Sequence, residues 1–158
     1  MTVTVDRAFV RIAEGQVHYH TCGDDSAGAA KPLYMIHASP SSSVNLIPLM
    51  QELGTSRRVI APDTLGFGDS PPPTQDIPNA DDYAESVIRI MDALGVESCD
   101  LYGSHTGAHI ACELAIHYPD RIRRLVFDGI GMFSPEDKEE LLANYAPEVH
   151  PDEFGQHL

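Results

Sequence analysis

Apolar positions along this chain recur with a period of two in some stretches and of three to four in others, and the alternation divides it into strands and helices. Residues 8–13 and 16–22 alternate apolar and polar side chains on either side of Glu14-Gly15, which predicts a hairpin. Leu33-Tyr34-Met35-Ile36-His37 and Arg58-Val59-Ile60-Ala61-Pro62 are short apolar runs bounded by turn residues, as buried strands are. Between them, residues 43–53 read as a helix that stops at Gly54. Tyr83, Val87, Ile90, Met91 and Leu94 make one stripe of a helix over 80–94, with Asn79 as its N-cap and Gly95 at its end. A strand at 99–102 leads into a small-residue helix reaching Tyr118, followed by a strand at 125–128. Ser134-Pro135-Glu136-Asp137 supplies a cap, a first-turn proline and first-turn acids for a last helix to Asn144. Strands alternating with helices predict an α/β fold with a mostly parallel sheet. Residues 23–31 are small and polar enough for a mobile loop, residues 64–70 form a glycine loop, and Pro71-Pro72-Pro73 with Pro78 makes a stiff non-helical connector. The tail beyond Asn144 carries no clear pattern.

Composition narrows the setting. A length of 158 residues suits one domain with a sizeable core, and 42% hydrophobic content is ordinary for a globular fold. No apolar run approaches the roughly 18 residues that span a bilayer, and the first residues lack the charged-then-apolar order of a signal peptide. The expectation is a cytoplasmic protein. Cys22, Cys99 and Cys112 show no paired spacing and read as buried free thiols in a reducing compartment. A formal net charge of −14 repels phosphate backbones and anionic lipid, which argues against nucleic-acid and membrane partners.

The candidate chemistry centres on Gly103-Ser104-His105-Thr106-Gly107. Two glycines, each two residues from the centre, are what a sharp strand-to-helix turn requires, because the turn crowds the backbone and thrusts its central side chain into a pocket. That centre is normally a nucleophile; here it is His105. With three other segments the elbow resembles the N-terminal half of an α/β-hydrolase, over roughly residues 8–150. His37-Ala38-Ser39-Pro40 is similar to the family's loop after the third strand. Asp63-Thr64-Leu65-Gly66-Phe67-Gly68-Asp69-Ser70 resembles its Asp-x-x-Gly-x-Gly-x-Ser loop, and residues 117–126 resemble the helix end that leads into its sixth strand. The resemblance implies a mostly parallel sheet with helices on both faces, truncated after strand six. It implies residues 1–133 as the N-terminal part of the hydrolase core and 134–158 as the start of a cap. It also implies an oxyanion hole from the Ser39 and Thr106 amides, Thr106 being at the start of the elbow helix. The acid and base of the usual triad would lie beyond Leu158.

Three readings of the elbow stay open. His105 is itself the catalytic group, since unprotonated imidazole attacks activated acyl groups; or Ser104 or Thr106 is the nucleophile beside a displaced base; or the scaffold binds a ligand or partner without turnover. The reading carried forward places His105, Ser39 and Thr106 in the catalytic set and His37, Ser104 and Asp128 around the substrate, with no cofactor and no metal. The substrate would be a small, largely apolar ester or related molecule.

The remaining candidates take structural readings. His105 and His109 share a helix face with Glu113 a turn further on, an acceptable metal spacing, but Thr106 stands where a His-Glu-x-x-His motif has its glutamate, so His109 is expected in the core. His18 and His20 are expected to be exposed on the hairpin, and His117, His150 and His157 on the surface. His37 is expected to hydrogen-bond within its loop, Asp63 to cap the glycine loop, Asp128 to bond turn amides before Gly129, and Ser41, Ser42 and Ser43 to start a helix. A sheet ending at the sixth strand would expose an apolar edge, so a second copy or a complementing chain is expected there.

Overall fold

A computed structural model describes residues 3–24 and 30–144. Six strands among them form one sheet: β1 (Asp6–Ile12), β2 (Gly15–Cys22), β3 (Leu33–Ile36), β4 (Val59–Pro62), β5 (Cys99–Ser104) and β6 (Ile122–Asp128). Their order across the sheet is β1-β2-β4-β3-β5-β6. The β1–β2 and β2–β4 pairs are antiparallel, whereas β4, β3, β5 and β6 run parallel to their neighbours. The helices are α1 (Ile47–Leu53), α2 (Ala80–Ala93), α3 (Thr106–His117) and α4 (Pro135–Asn144).

Side-chain alternation divides the core between the two faces of the sheet. Tyr34, Ile36, Ile60 and Leu101 pack with Val87, Ile90, Met91, Ile110 and Leu114 of α2 and α3 on one face. Their neighbours Leu33, Met35, Val59 and Ala61 pack with Met50 of α1 on the other. The central strands β3 and β4 are buried at every position, which is why they read as continuous apolar runs. Asn79 caps α2 as expected, its side chain accepting from the Asp82 amide while the Asp82 carboxylate accepts from the Asn79 amide.

The single helix expected over 43–53 is divided into a 3-10 turn (Ser43–Leu46) and α1. Pro48 accounts for this: it has no N–H to donate to the Val44 carbonyl, and its ring crowds the preceding turn. His18 and His20 are also not exposed. They are 2% and 6% accessible, because β2 is an interior strand with β4 along its second edge. Cys22 and Cys99 are buried free thiols, and Cys112 is half-buried. No helix among the described residues is long and apolar enough to cross a membrane.

At the outer edge, β6 has β5 as its one neighbour in the sheet, and Val126 and Phe127 are 53% and 43% exposed. The described residues of α4 are all exposed. The unpatterned tail, with His150 and His157, and most of the loop at 23–31 lie outside the described residues.

Asp100 anchors β6 to the sheet. Arg123 of β6 grips its carboxylate with two bonds of 2.7 and 2.6 Å, and Arg57 adds a third at 2.6 Å. Arg123, and then Arg57, outweigh desolvation and hold the Asp100 carboxyl at about 2, below its ordinary 3.8. A depressed carboxylate stabilises the fold above its unfolded pKa and loses that contribution as pH falls through its folded pKa. The stability gap between the wild type and Asp100→Asn, read from urea midpoints, is therefore expected to be full above pH 3.8 and to close toward pH 2. A gap that is constant across this window would show that the ion pairs do not carry it.

Candidate active site

The C-terminal ends of β3, β4, β5 and β6 converge at one rim of the sheet, where open parallel sheets place their functional groups. There β5 turns directly into α3 at His105, which has φ 48° and ψ −109°; no other non-glycine residue among those described has a positive φ. Two close approaches force this conformation. A side chain on Gly107 would strike the backbone carbonyls of Ile36 and His37, and one on Gly103 would strike the backbone of Gly107 and Ala108. The glycine spacing read from the sequence thus has a steric cause, and the histidine between them is exposed. Its amide donates to the Asp128 carbonyl at 2.8 Å, and its carbonyl accepts from Ala108 at 2.9 Å. Its ring lies over Gly129, where a Cβ would come within 2.7 Å of Cε1 and 2.9 Å of Nδ1.

The expected catalytic residues come together only in part. Ser39 and Thr106 meet: the Ser39 amide donates to the Thr106 hydroxyl at 2.6 Å. One of the two amides expected to be free for an oxyanion is therefore already engaged by a side-chain oxygen. Both residues line a cavity of about 320 Å³ with Thr64, Phe67, Tyr83 and His109. His109 is a correction, since it is half-buried on the cavity wall instead of in the core. Its four-residue offset from His105 is a signal that points as readily to this wall as to the core. The metal arrangement of His105 and His109 with Glu113 does not form, because among the described residues Glu113 groups with Asp81 and His117.

His37 is 1% exposed and both ring nitrogens are taken: Nδ1 donates to the Ala38 carbonyl at 2.8 Å, and Nε2 accepts from the Thr64 amide at 3.0 Å. Burial lowers its pKa, consistent with a neutral ring that joins the β3 and β4 loops rather than facing a ligand. Ser104 and Asp128 are register partners on β5 and β6. The Asp128 carboxylate accepts from the Tyr102 hydroxyl; bonds to the turn amides before Gly129, expected from the sequence, are replaced by this contact.

Beneath the site lies a buried polar cluster around Asp63, whose partners Ser43, His18 and His20 the sequence did not bring together. Asp63 accepts from the Ser43 amide at 2.8 Å, the Ser43 hydroxyl at 2.5 Å, the Asp69 amide at 3.0 Å and His18 Nδ1 at 2.8 Å. Burial raises the Asp63 pKa, but the bonds from Ser43, Asp69 and His18 prevail and leave it below 3.8. Arg7 Nε donates to Nε2 of His18 at 3.0 Å, which places the ring proton on Nδ1. His20 Nδ1 donates to the Ser43 hydroxyl at 2.7 Å, completing a serine, histidine and aspartate chain. Ser43 is fully buried, so this chain braces the loops and meets no substrate. Asp63 fulfils the loop-capping role expected of it and also binds β2 and the Ser43 turn.

A mixed sheet covered on both faces, with a glycine-framed strand-to-helix turn at the rim, defines an α/β protein of the elbow-bearing class. The chain belongs to the α/β-hydrolase fold family, whose defining pattern matches residues 31–156. It is 45% identical over 106 residues to a 2-hydroxymuconate semialdehyde hydrolase of Pseudomonas sp. strain CF600, covering 65% of this chain and 38% of that one. It is 34% identical over 127 residues to a 2-hydroxy-6-oxo-2,4-heptadienoate hydrolase of Pseudomonas putida strain F1, covering 77% of this chain and 46% of that one. The structure matches that of a bacterial membrane phospholipase A with a TM-score of 0.78 at 26% identity, covering 89% of this chain and 44% of that chain. The chain thus spans less than half the length of these relatives.

Gly129 and Gly95 separate steric from conformational effects at the elbow. Both have a positive φ, +70° and +69°, but a Cβ on Gly95 meets nothing within 4 Å, whereas one on Gly129 meets the His105 ring. Each change to alanine is expected to lose about 1 to 2 kcal/mol for the left-handed backbone, measured by urea denaturation. Gly129→Ala alone is expected to move the His105 imidazole resonances in NMR spectra. Unmoved resonances would contradict the placement of the ring over Gly129.

Proposed function

We propose that this chain is the elbow-bearing part of a hydrolase that acts on a small, largely apolar ester or related carbonyl compound, with His105 at the reaction centre. The observation that carries this reading is the exposed His105 at φ 48°, between two sterically required glycines and beside the Ser39 and Thr106 amides. A cavity near 320 Å³ is at the lower end of small-molecule sites, and its apolar wall of Phe67, Tyr83 and Ile110 suits a compact apolar group. The names of the relatives, two of them hydrolases of unsaturated oxo compounds, support a conjugated carbonyl substrate.

In this mechanism an unprotonated His105 nitrogen attacks the substrate carbonyl carbon, and the carbonyl electron pair moves to oxygen. The oxyanion takes the place of the Thr106 hydroxyl at the Ser39 amide and accepts also from the Thr106 amide. Collapse breaks the bond to the leaving alkoxide, which picks up a proton from solvent, and water then hydrolyses the acyl-imidazole, freeing the acid and restoring His105. Residues 134–158, of which 145–158 lie outside the described residues, are read as the start of a cap, and further strands, from a C-terminal continuation, a complementing chain or a second copy, cover the β6 edge. The exposed Val126 and Phe127 support that cover. The setting is cytoplasmic, with a small molecule as partner and neither nucleic acid nor membrane.

A second reading, a binding module without turnover, is favoured by the Ser39 amide bond to Thr106 and by the absence, among the described residues, of a hydrogen-bonded base for the His105 ring. Hydrolysis of 4-nitrophenyl butyrate distinguishes the two. His105→Ala is expected to reduce turnover by at least about 100-fold, the scale of losing a group used in the transition state. Turnover unchanged in His105→Ala overturns the catalytic assignment, and saturable binding of the ester without turnover favours the binding module. Sedimentation of the 17.2 kDa chain as a stable monomer would speak against self-association at β6.

A further inference from the structure

At the far end of α3 from the elbow, Glu113 and His117 lie one helical turn apart and meet Asp81 from the first turn of α2. His117 Nε2 is 3.4 Å from Asp81 Oδ1 and 3.4 Å from Glu113 Oε2, and the three donor atoms lie within 4.8 Å of one another. These separations exceed the roughly 2.7–2.9 Å of a charge-assisted hydrogen bond. The two separations from His117 are close to the roughly 3.3–3.4 Å between ligand atoms held about 2.0–2.1 Å from one tetrahedral ion, and the Asp81 and Glu113 oxygens, within 4.8 Å of each other, can close on the same ion. A second cavity of about 320 Å³ opens at the same place, lined by Asp81, Glu85, His117 and Tyr118. It offers an entry path and room for water as a fourth ligand.

We propose that Asp81, Glu113 and His117 form a binding site for a divalent cation of the zinc class, with its fourth position open to this cavity. Two carboxylates and a neutral imidazole carry a charge of −2, which the ion offsets. His117 lies in the last turn of α3, where the carbonyl end of the helix favours a cation. The ion would clip the start of α2 to the end of α3, the two helices that cover one face of the sheet. The site is separate from the elbow and from the set that the sequence spacing suggests, since it shares only Glu113 with the latter.

Isothermal titration of the chain with zinc chloride in chelator-free buffer at neutral pH tests the site. The wild type is expected to take up one saturable equivalent, which His117→Ala abolishes and Glu113→Gln weakens by more than about tenfold. His109→Ala is expected to leave it intact. Thermal melting, compared without zinc, verifies that each variant folds, and added zinc should raise the midpoint of the wild type but not of His117→Ala. No uptake by the wild type, equal uptake by His117→Ala, or loss confined to His109→Ala would each overturn the assignment.

Discussion

The close approach of Gly107 to the carbonyls of Ile36 and His37 is the constraint on which the candidate site depends. It seats the first turn of α3 directly on the end of β3, and any side chain at that point would lever the helix away. Gly103, pressed against Gly107 and Ala108, closes the turn from the other side. His105 is left with a positive-φ backbone (φ 48°, ψ −109°) outside the left-handed helical well, a sparsely populated conformation that costs on the order of 1–3 kcal/mol. Strain of this kind persists where the surroundings over-determine it, as two glycine contacts and the amide bond to Asp128 do here.

A second constraint operates below the rim. Asp63 gathers four hydrogen bonds from β2, the Ser43 turn and the glycine loop, so the loops on one side of the site share a single carboxylate. The Ser43, His20 and Asp63 chain has the residue types of a hydrolytic triad, yet burial gives it a structural role. Its members hold one another in fixed geometry, and the absence of access separates it from the elbow. Residue type alone would not have made that distinction, and the accessibility of the serine does.

Much of this was legible in the chain because local rules decide it. The apolar runs of β3 and β4, the Asn79 cap of α2 and the glycine frame around His105 each follow from short-range sterics or hydrogen bonding, and each appears where the pattern places it. Pro48 was equally visible, and its break in the helix follows from the missing N–H. His18 and His20 were misplaced for a non-local reason: a hairpin pattern does not reveal that β2 has a second partner, β4, about 40 residues away. The same holds for Asp63 and Ser43, twenty positions apart, and for His109, whose helix face was known but whose cavity depends on Tyr83 and Phe67 from other segments. The Thr106 hydroxyl on the Ser39 amide is likewise a contact across 67 positions that no motif contains.

Glycine packing at the elbow holds His105 out at the open rim, while His18 and His20 of β2 and His37 just after β3 are sealed. Brief treatment with diethyl pyrocarbonate, followed by peptide mapping in a mass spectrometer, measures that accessibility residue by residue. The structure predicts rapid modification of His105 and protection of His18, His20 and His37, which are 2%, 6% and 1% exposed. Protection of His105 to the same degree as these three would contradict the account.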